Sequence, residues 1–215
     1  MTGINHKILK IVRGSGRGNN VYSAKDFLHL ASRASIDQAL SRLAKAGKLR
    51  RVGRGLYDLP RSNPLLKRPS PAKTSAVVDA VARRHGLKIA PDNIAAANGL
   101  GLTNAVPARP VYVTDGPSRS IAIDGGKIRL NRASTYLRPW LGSPGQHIVQ
   151  TLLWLGKDLG SSPDTIAALR ARLPKKVKRD LAQKKAYLPD WAIRVVNAVI
   201  ADAEEGVRTV PSPKR

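Results

Sequence analysis

The sequence predicts an α+β fold: an N-terminal winged helix-turn-helix domain, then a mixed domain with a small antiparallel sheet and a C-terminal helical region. Two short helical patterns and a glycine-turned hairpin occupy residues 23–59. Period-two patterning over residues 110–131 predicts the small sheet, and prolines open the later helical segments. The predicted parts are a domain over 1–60, a linker over 61–72, a domain over 73–205 and a disordered tail over 206–215.

After a short helical lead-in over residues 4–12, the two helices of the predicted helix-turn-helix motif both begin with a capping pattern. Ser23 is followed three residues later by Asp26, and Ser35 is followed by Gln38 at the same spacing. Each serine can satisfy a free backbone N–H of a first helical turn. We therefore expect the second helix to begin at Ser35 and to end at Gly47. Its apolar stripe consists of Ile36, Leu40 and Leu43.

A short helix beside a cationic hairpin is typical of a DNA-binding domain. Winged helices also serve as protein–protein modules, but residues 1–60 carry twelve Lys or Arg against three Asp. Such a basic segment favours contact with phosphates. Double-stranded DNA is therefore the expected partner. The predicted DNA-binding residues are Arg33, Ser35, Gln38, Ser41, Arg42, Lys45, Arg50, Arg51 and Arg54.

These residues have different expected roles. Gln38 and Arg42 lie one helical turn apart, so both can face a groove, where Gln pairs with adenine and Arg with guanine. The backbone N–H of Ser35 is expected to meet a phosphate. The hairpin residues Arg50, Arg51 and Arg54 are expected to bind phosphates or enter the minor groove.

The whole composition points to a polyanionic partner. The 215 residues carry a formal net charge of +24, which implies nucleic acid or an acidic protein surface. The sequence contains no cysteine, which excludes disulfides and thiolate sites. Residues 1–7 lack the apolar run of a signal peptide, and no 18-residue apolar stretch occurs. We expect a cytoplasmic bacterial protein without membrane contact, associated with the nucleoid when bound to DNA.

No motif indicates catalysis. The four histidines lie far apart in the sequence, and no pair of carboxylates has the context of acid–base chemistry. Asp115 and Asp124 flank hairpins, where Asp is a turn former. We predict no enzyme activity, no cofactor and no metal site, and keep a nucleic-acid-processing enzyme built from scattered residues as the least favoured hypothesis.

Residues 60–72 are the predicted domain boundary. They hold four prolines, which block regular hydrogen bonding and favour an extended segment. The parts before and after this segment are therefore expected to fold separately. In the second part, helices are predicted over 74–85, 93–99, 146–157, 163–173, 174–185 and 189–205, with strands over 87–90, 110–116, 119–126 and 127–131.

Several separate segments resemble, in the same order, the AbiEi-type antitoxin family. They are the hairpin at 51–60, the segment 95–107, strand-forming 111–116 and 120–123, and the helical segments 150–157 and 188–191. The resemblance covers essentially the whole chain. It implies an antitoxin that represses its own operon and neutralises a nucleotidyltransferase-like toxin encoded next door. The alternative is a stand-alone winged-helix regulator whose C-terminal domain dimerises or senses a ligand.

A partner-binding surface is predicted in the C-terminal part. Residues 170–185 carry eight Lys or Arg against Asp180, which suits either DNA or an acidic toxin surface. Trp140 follows Arg138-Pro139 in a predicted loop and is the expected exposed anchor, whereas Trp154 and Trp191 are expected in the core. The predicted partner-binding residues are Trp140, Lys175, Lys176 and Arg179.

Overall fold

The computed structural model describes residues 3–16, 18–63, 68–94, 98, 101, 104 and 110–201, and over these residues the fold is α+β. The α-helices are α1 (Ile4–Gly14), α2 (Arg33–Lys45), α3 (Thr74–His85), α4 (Gln146–Gly160), α5 (Pro163–Arg172), α6 (Lys175–Lys184) and α7 (Asp190–Ile200). The strands are β1 (Val21–Tyr22), β2 (Arg50–Gly53), β3 (Leu56–Asp58), β4 (Ser62–Asn63), β5 (Arg68–Pro69), β6 (Ile89–Pro91), β7 (Val111–Thr114), β8 (Arg119–Ile123) and β9 (Gly126–Arg132). The predicted tail and most of the predicted helix over 93–99 lie outside the described residues.

The sheet is larger than predicted and is mixed. Within the described residues, seven strands join in the order β1-β3-β2-β8-β9-β7-β6, and β7 runs parallel to β9. The predicted small antiparallel sheet is therefore wrong in size and partly in direction. The hairpin strand β2 joins β8 through Gly53, which pairs with Ile123. A Cβ at Gly53 would lie 2.8 Å from the carbonyl oxygen of Ala122, so glycine permits this close approach.

The chain forms two compact units that do not follow the predicted boundary. Unit 1 comprises residues 1–89 and 109–132, and unit 2 comprises residues 90–108 and 133–215. The predicted linker over 61–72 thus lies inside unit 1. The physical reason is one apolar core shared by the hairpin strands, α3 and β9. Its buried members are Val21, Val52, Leu56, Ala76, Val77, Val78, Ala80, Val81, Ile128 and Leu130.

Unit 2 is the predicted helical region. Here α7 packs against α4, α5 and α6, and its buried face contains Val195, Val196 and Val199. The predicted cap of α5 is confirmed, because the Ser162 hydroxyl accepts a hydrogen bond from the Thr165 N–H at 3.2 Å. The helices begin within a residue of the predicted positions.

None of the helices built from described residues is both long and apolar enough to cross a membrane. In the same part of the chain, His, Asp and Glu side chains do not gather in groups of three that could hold a metal ion.

Candidate nucleic-acid interface

The helix α2 begins earlier than the capping pattern predicted. It starts at Arg33, and the Ser32 hydroxyl accepts from the Ser35 N–H at 3.4 Å. The predicted start at Ser35 is wrong because Ser32 has the extended backbone of an N-cap and reaches the third helical residue first. The Ser35 N–H is consequently engaged within the helix, and the Ser35 side chain is half-buried.

The helical segment that precedes α2 is also shorter than predicted. The predicted helix over 23–31 is a single 3₁₀ turn, Ala24–Phe27. The predicted Ser23–Asp26 cap is nevertheless present, since the Ser23 N–H donates to the Asp26 carboxylate at 2.7 Å. Phe27 is fully buried and anchors this turn beside α2.

The helix α2 has one buried face and one exposed face. The buried face is packed into a core with α1 and the 3₁₀ turn, and its members are Ile36, Ala39, Leu40 and Leu43, all at most 4% exposed. This anchoring fixes the direction of the opposite face. The predicted residues that lie exposed there are Gln38, Ser41, Arg42 and Lys45.

Arg33 and Ser35 differ from these four. Arg33 is exposed, but its Nε donates to the Asp37 carboxylate at 2.8 Å in an i,i+4 ion pair. Because both partners are about half exposed, the pair adds little to stability and can open. The exposed face of α2 is therefore cationic mainly through Arg42 and Lys45.

Gln38 and Arg42 also line an open groove. The groove has a volume of about 370 Å³ and lies between α2 and the first residues of α1. Its remaining walls come from Gly3, Ile4, Asn5, Ser35 and Ala39. Amide and guanidinium groups thus share an open concave surface with the start of α1.

The three hairpin arginines separate into two kinds. Arg50 is only partly exposed, and its guanidinium bonds both carboxylate oxygens of buried Asp58 and the Ser70 carbonyl oxygen. Its donors are used inside the fold, so Arg50 does not join the exposed cations. Arg51 and Arg54 are exposed. Strand alternation explains the difference, because residues 50 and 52 face the core under α3 whereas residue 51 faces away.

Two arginines that sequence analysis did not single out hold this region together. Arg84 Nη1 donates to the Arg54 carbonyl oxygen at 2.8 Å and so fixes the hairpin tip. Arg83 bonds both Asp26, at 2.9 Å, and the Val21 carbonyl oxygen, at 2.8 Å. The sequence could have indicated only that both arginines lie in the last turn of α3. Their bonding partners are distant in sequence and depend on long-range packing.

The predicted partner-binding set is not brought together. Trp140 is 0% exposed, so the predicted exposed anchor is wrong. It closes a 3₁₀ turn, Arg138–Trp140, and packs against Gly145, where a Cβ would lie 3.0 Å from its ring. Lys175, Lys176 and Arg179 are exposed on α6, as a solvent-facing surface requires.

The other two tryptophans also differ from expectation. Trp154 is 36% exposed rather than buried. At this point α4 itself has apolar residues on every side, so hydrophobicity alone did not identify its buried side. Two residues later Gly156 interrupts the helix, with φ 73°. Trp191 is half-buried and packs against Gly160.

Comparison with known proteins identifies the family of this chain. No curated protein matches the sequence. Residues 7–181 match the family described as Family of unknown function (DUF6088), and this span includes α2, the hairpin and most of unit 2. The chain therefore belongs to the Family of unknown function (DUF6088).

Proposed function

We propose that this protein binds double-stranded DNA sequence-specifically, with α2 in the major groove and the β2–β3 hairpin on the adjacent phosphates. The observation that carries the proposal is the exposed face of α2, where Gln38 and Arg42 project from a helix whose other face is locked in a core. The order α1, β1, 3₁₀ turn, α2, β2, β3 supports a winged helix-turn-helix interpretation.

The dimensions of α2 support insertion into DNA. The helix has 13 residues, a length of about 20 Å at ~1.5 Å per residue. Its exposed face carries small Ser41 between longer polar side chains, so the backbone can approach base edges. Arg42 offers a bidentate donor for guanine, and Gln38 offers a donor and an acceptor for adenine.

The β2–β3 hairpin supports the proposed contact with DNA phosphates. Arg51 and Arg54 are exposed cations on a tip that Arg84 holds at the Arg54 carbonyl. Arginines on a hairpin tip contact phosphates more readily than base edges, and phosphate contacts position a protein without reading sequence. With a formal net charge of +24, the chain gains affinity through release of counterions.

The test is a mobility-shift series with selected duplexes against random-sequence duplexes. Gln38→Ala and Arg42→Ala should each lose discrimination by about 1–3 kcal/mol. Gln183→Ala and Arg194→Ala, which alter exposed residues of α6 and α7, are matched controls and should keep wild-type discrimination. Wild-type discrimination in both α2 variants would overturn the assignment of the reading helix.

The expected regulatory role is a narrower proposal. We propose that one target is the promoter of the protein's own operon in the bacterial cytoplasm, which rests on the resemblance to AbiEi-type antitoxins. Binding of selected duplexes without binding of the own promoter would retain DNA recognition and reject autorepression.

The antitoxin role is proposed on the same resemblance and on one surface. Lys175, Lys176 and Arg179 form an exposed cationic face of α6 that suits an acidic protein partner. Co-purification with the product of a neighbouring nucleotidyltransferase gene is the expected result, and reversal of these three charges to Glu should abolish it. The equally exposed triple Lys7, Lys10 and Arg13 of α1, reversed in the same way, is the control. Retained co-purification in the α6 variant would reject this surface.

A further inference from the structure

Four nitrogen-bearing side chains from three elements meet at the C-terminal end of α3. Arg84 and His85 belong to its last turn, Lys25 to the 3₁₀ turn Ala24–Phe27, and Arg119 opens β8. Partial loss of hydration lowers the pKa of His85 below its ordinary value, and the charges of Arg119, Arg84 and Lys25 lower it further, in that order. Two contacts bring these segments together: Asp26, next to Lys25, pairs with Arg83 at 2.9 Å, and Asp115, four residues before Arg119, accepts from the Lys88 N–H at 3.0 Å.

Strand geometry places Arg119 on the side of the sheet that α3 covers. Arg119 pairs with Leu130 of β9. It lies on the same face of β8 as Ile121 and Ile123, which pack against the core under α3. Cations at a helix C-terminus suit the helix dipole, which accounts for Arg84 and His85. It does not account for Arg119, which comes from the sheet.

The guanidinium of Arg119 lacks partners within the described part of the chain. Its Nε and Nη2 are buried and make no hydrogen bond there. The carboxylates closest in sequence to Lys25 and Arg119 are engaged elsewhere, since Asp26 pairs with Arg83 and Asp115 accepts from the Lys88 N–H. A buried cationic donor without an acceptor is unfavourable, so this cluster is suited to an anion supplied from outside.

The cluster is open to solvent on one side and adjoins the hairpin tip. Lys25 and His85 are exposed, and Arg84 connects the cluster directly to the Arg54 carbonyl. We propose that Lys25, Arg84, His85 and Arg119 form a phosphate-binding site that takes a phosphate of the nucleic-acid backbone. This inference rests on the proposed DNA binding and extends the contact from the hairpin tip to the end of α3.

The first arm of the test follows the His85 imidazole by NMR in the full chain, with inorganic phosphate added at constant ionic strength. His85→Gln assigns the signal. Phosphate should raise the pKa of His85 because the bound anion stabilises the imidazolium. Arg119→Gln should raise the pKa without phosphate and diminish the response to phosphate. Lys25→Gln, an exposed change that leaves the core intact, should also diminish it.

The second arm uses duplex DNA and separates free phosphate from the DNA backbone as the ligand. Arg119→Gln should reduce the slope of log K against log salt by about 0.9, the value of one phosphate contact. Arg129→Gln, on an exposed residue of β9 whose Nε bonds Asn131, is the control for both arms. A phosphate response without any DNA binding supports the anion site and rejects the proposed function. An unmoved His85 pKa together with an unchanged salt slope overturns the site.

Discussion

At the scale of single residues, strand position decides what an arginine of the β2–β3 hairpin does. Arg50 points towards Asp58, whose side chain is 1% exposed, and forms a two-pronged ion pair that also reaches the Ser70 carbonyl. Arg51, one residue further, points to solvent. Of two neighbouring arginines, one therefore stabilises the fold and the other stays exposed at the surface.

We expect Arg50→Gln to destabilise the protein by about 3–5 kcal/mol, because it leaves the Asp58 carboxylate buried without its partner. The free energy of unfolding in urea measures this loss. Arg51→Gln is the matched control and should change stability by less than about 0.5 kcal/mol. The double variant Arg50→Gln/Asp58→Asn should recover part of the loss, since it removes the unpaired charge. Equal stability of the Arg50 and Arg51 variants would contradict this role.

The exposed pair should behave in the opposite way. Arg51→Gln/Arg54→Gln should bind DNA with a salt slope smaller by about 1.8, at ~0.9 per phosphate contact, while keeping its preference between sequences. Titrations at several salt concentrations give the slope. The variant Lys127→Gln/Arg129→Gln, on exposed residues of β9, is the control pair. An unchanged slope in the hairpin variant would mean that these arginines do not contact DNA.

Much of the candidate site follows from local sequence, and its errors follow from long-range contacts. Helical periodicity correctly predicted that Gln38 and Arg42 are exposed, because their neighbours Leu40 and Leu43 must be buried. The partner of Arg50 could not be predicted, since it depends on the register of β2 against β3. The burial of Trp140 depends on Gly145 in the same way.

At the scale of elements, α4 owes its first turn to a side chain from another helix. Its N-terminus has no capping side chain of its own. The buried carboxylate of Asp180 in α6 accepts from the Gly145 N–H at 2.8 Å and pairs with Lys184 at 2.9 Å. Burial alone would raise the pKa of Asp180, but the Gly145 N–H and the Lys184 ammonium outweigh burial and lower it.

This lowered pKa makes the contribution of Asp180 dependent on pH. Its ionised form stabilises the fold above the unfolded pKa near 3.8, and the contribution is lost as pH falls through the lower folded pKa. Asp180→Asn should cost about 1.5–3 kcal/mol at pH 7, the range for hydrogen bonds to charged groups, and less at pH 3. Unfolding free energies at both values measure this. Asp158→Asn, on an exposed residue of α4, should show no such difference, and a pH-independent cost at Asp180 would contradict the mechanism.

The ends of an element could be predicted where a single local residue determines them. The helix α3 spans the predicted residues because Gly86 takes the left-handed conformation that ends it, at φ 66°. The start of α2 was misplaced because Ser32 and Ser35 both suit an N-cap, and only tertiary packing selects between them. The kink at Gly156 carried no pattern distinct from other helical glycines.

At the scale of the whole molecule, the proline-rich segment interrupts the sequence but not the fold. Strand β2 pairs with β8, with Gly53 opposite Ile123, and α3 packs over both strands. The prolines show in the local composition that this segment disfavours regular structure. The pairing of residue 53 with residue 123 joins distant parts of the chain, so no local sequence pattern predicts it. Unit 1 therefore contains all of the candidate DNA-binding surface together with the elements that support it.

This arrangement predicts how fragments behave. Residues 1–60 alone should unfold without cooperativity, because removal of α3 and β9 exposes Val52 and Leu56 to water. Residues 1–132 contain every segment of unit 1 and should unfold cooperatively and keep the DNA affinity of the full chain. Urea unfolding followed by circular dichroism, with DNA titration of each fragment, makes the comparison. Cooperative unfolding of residues 1–60, with the midpoint seen for residues 1–132, would show that the hairpin needs no support from α3 and would restore the boundary at the prolines.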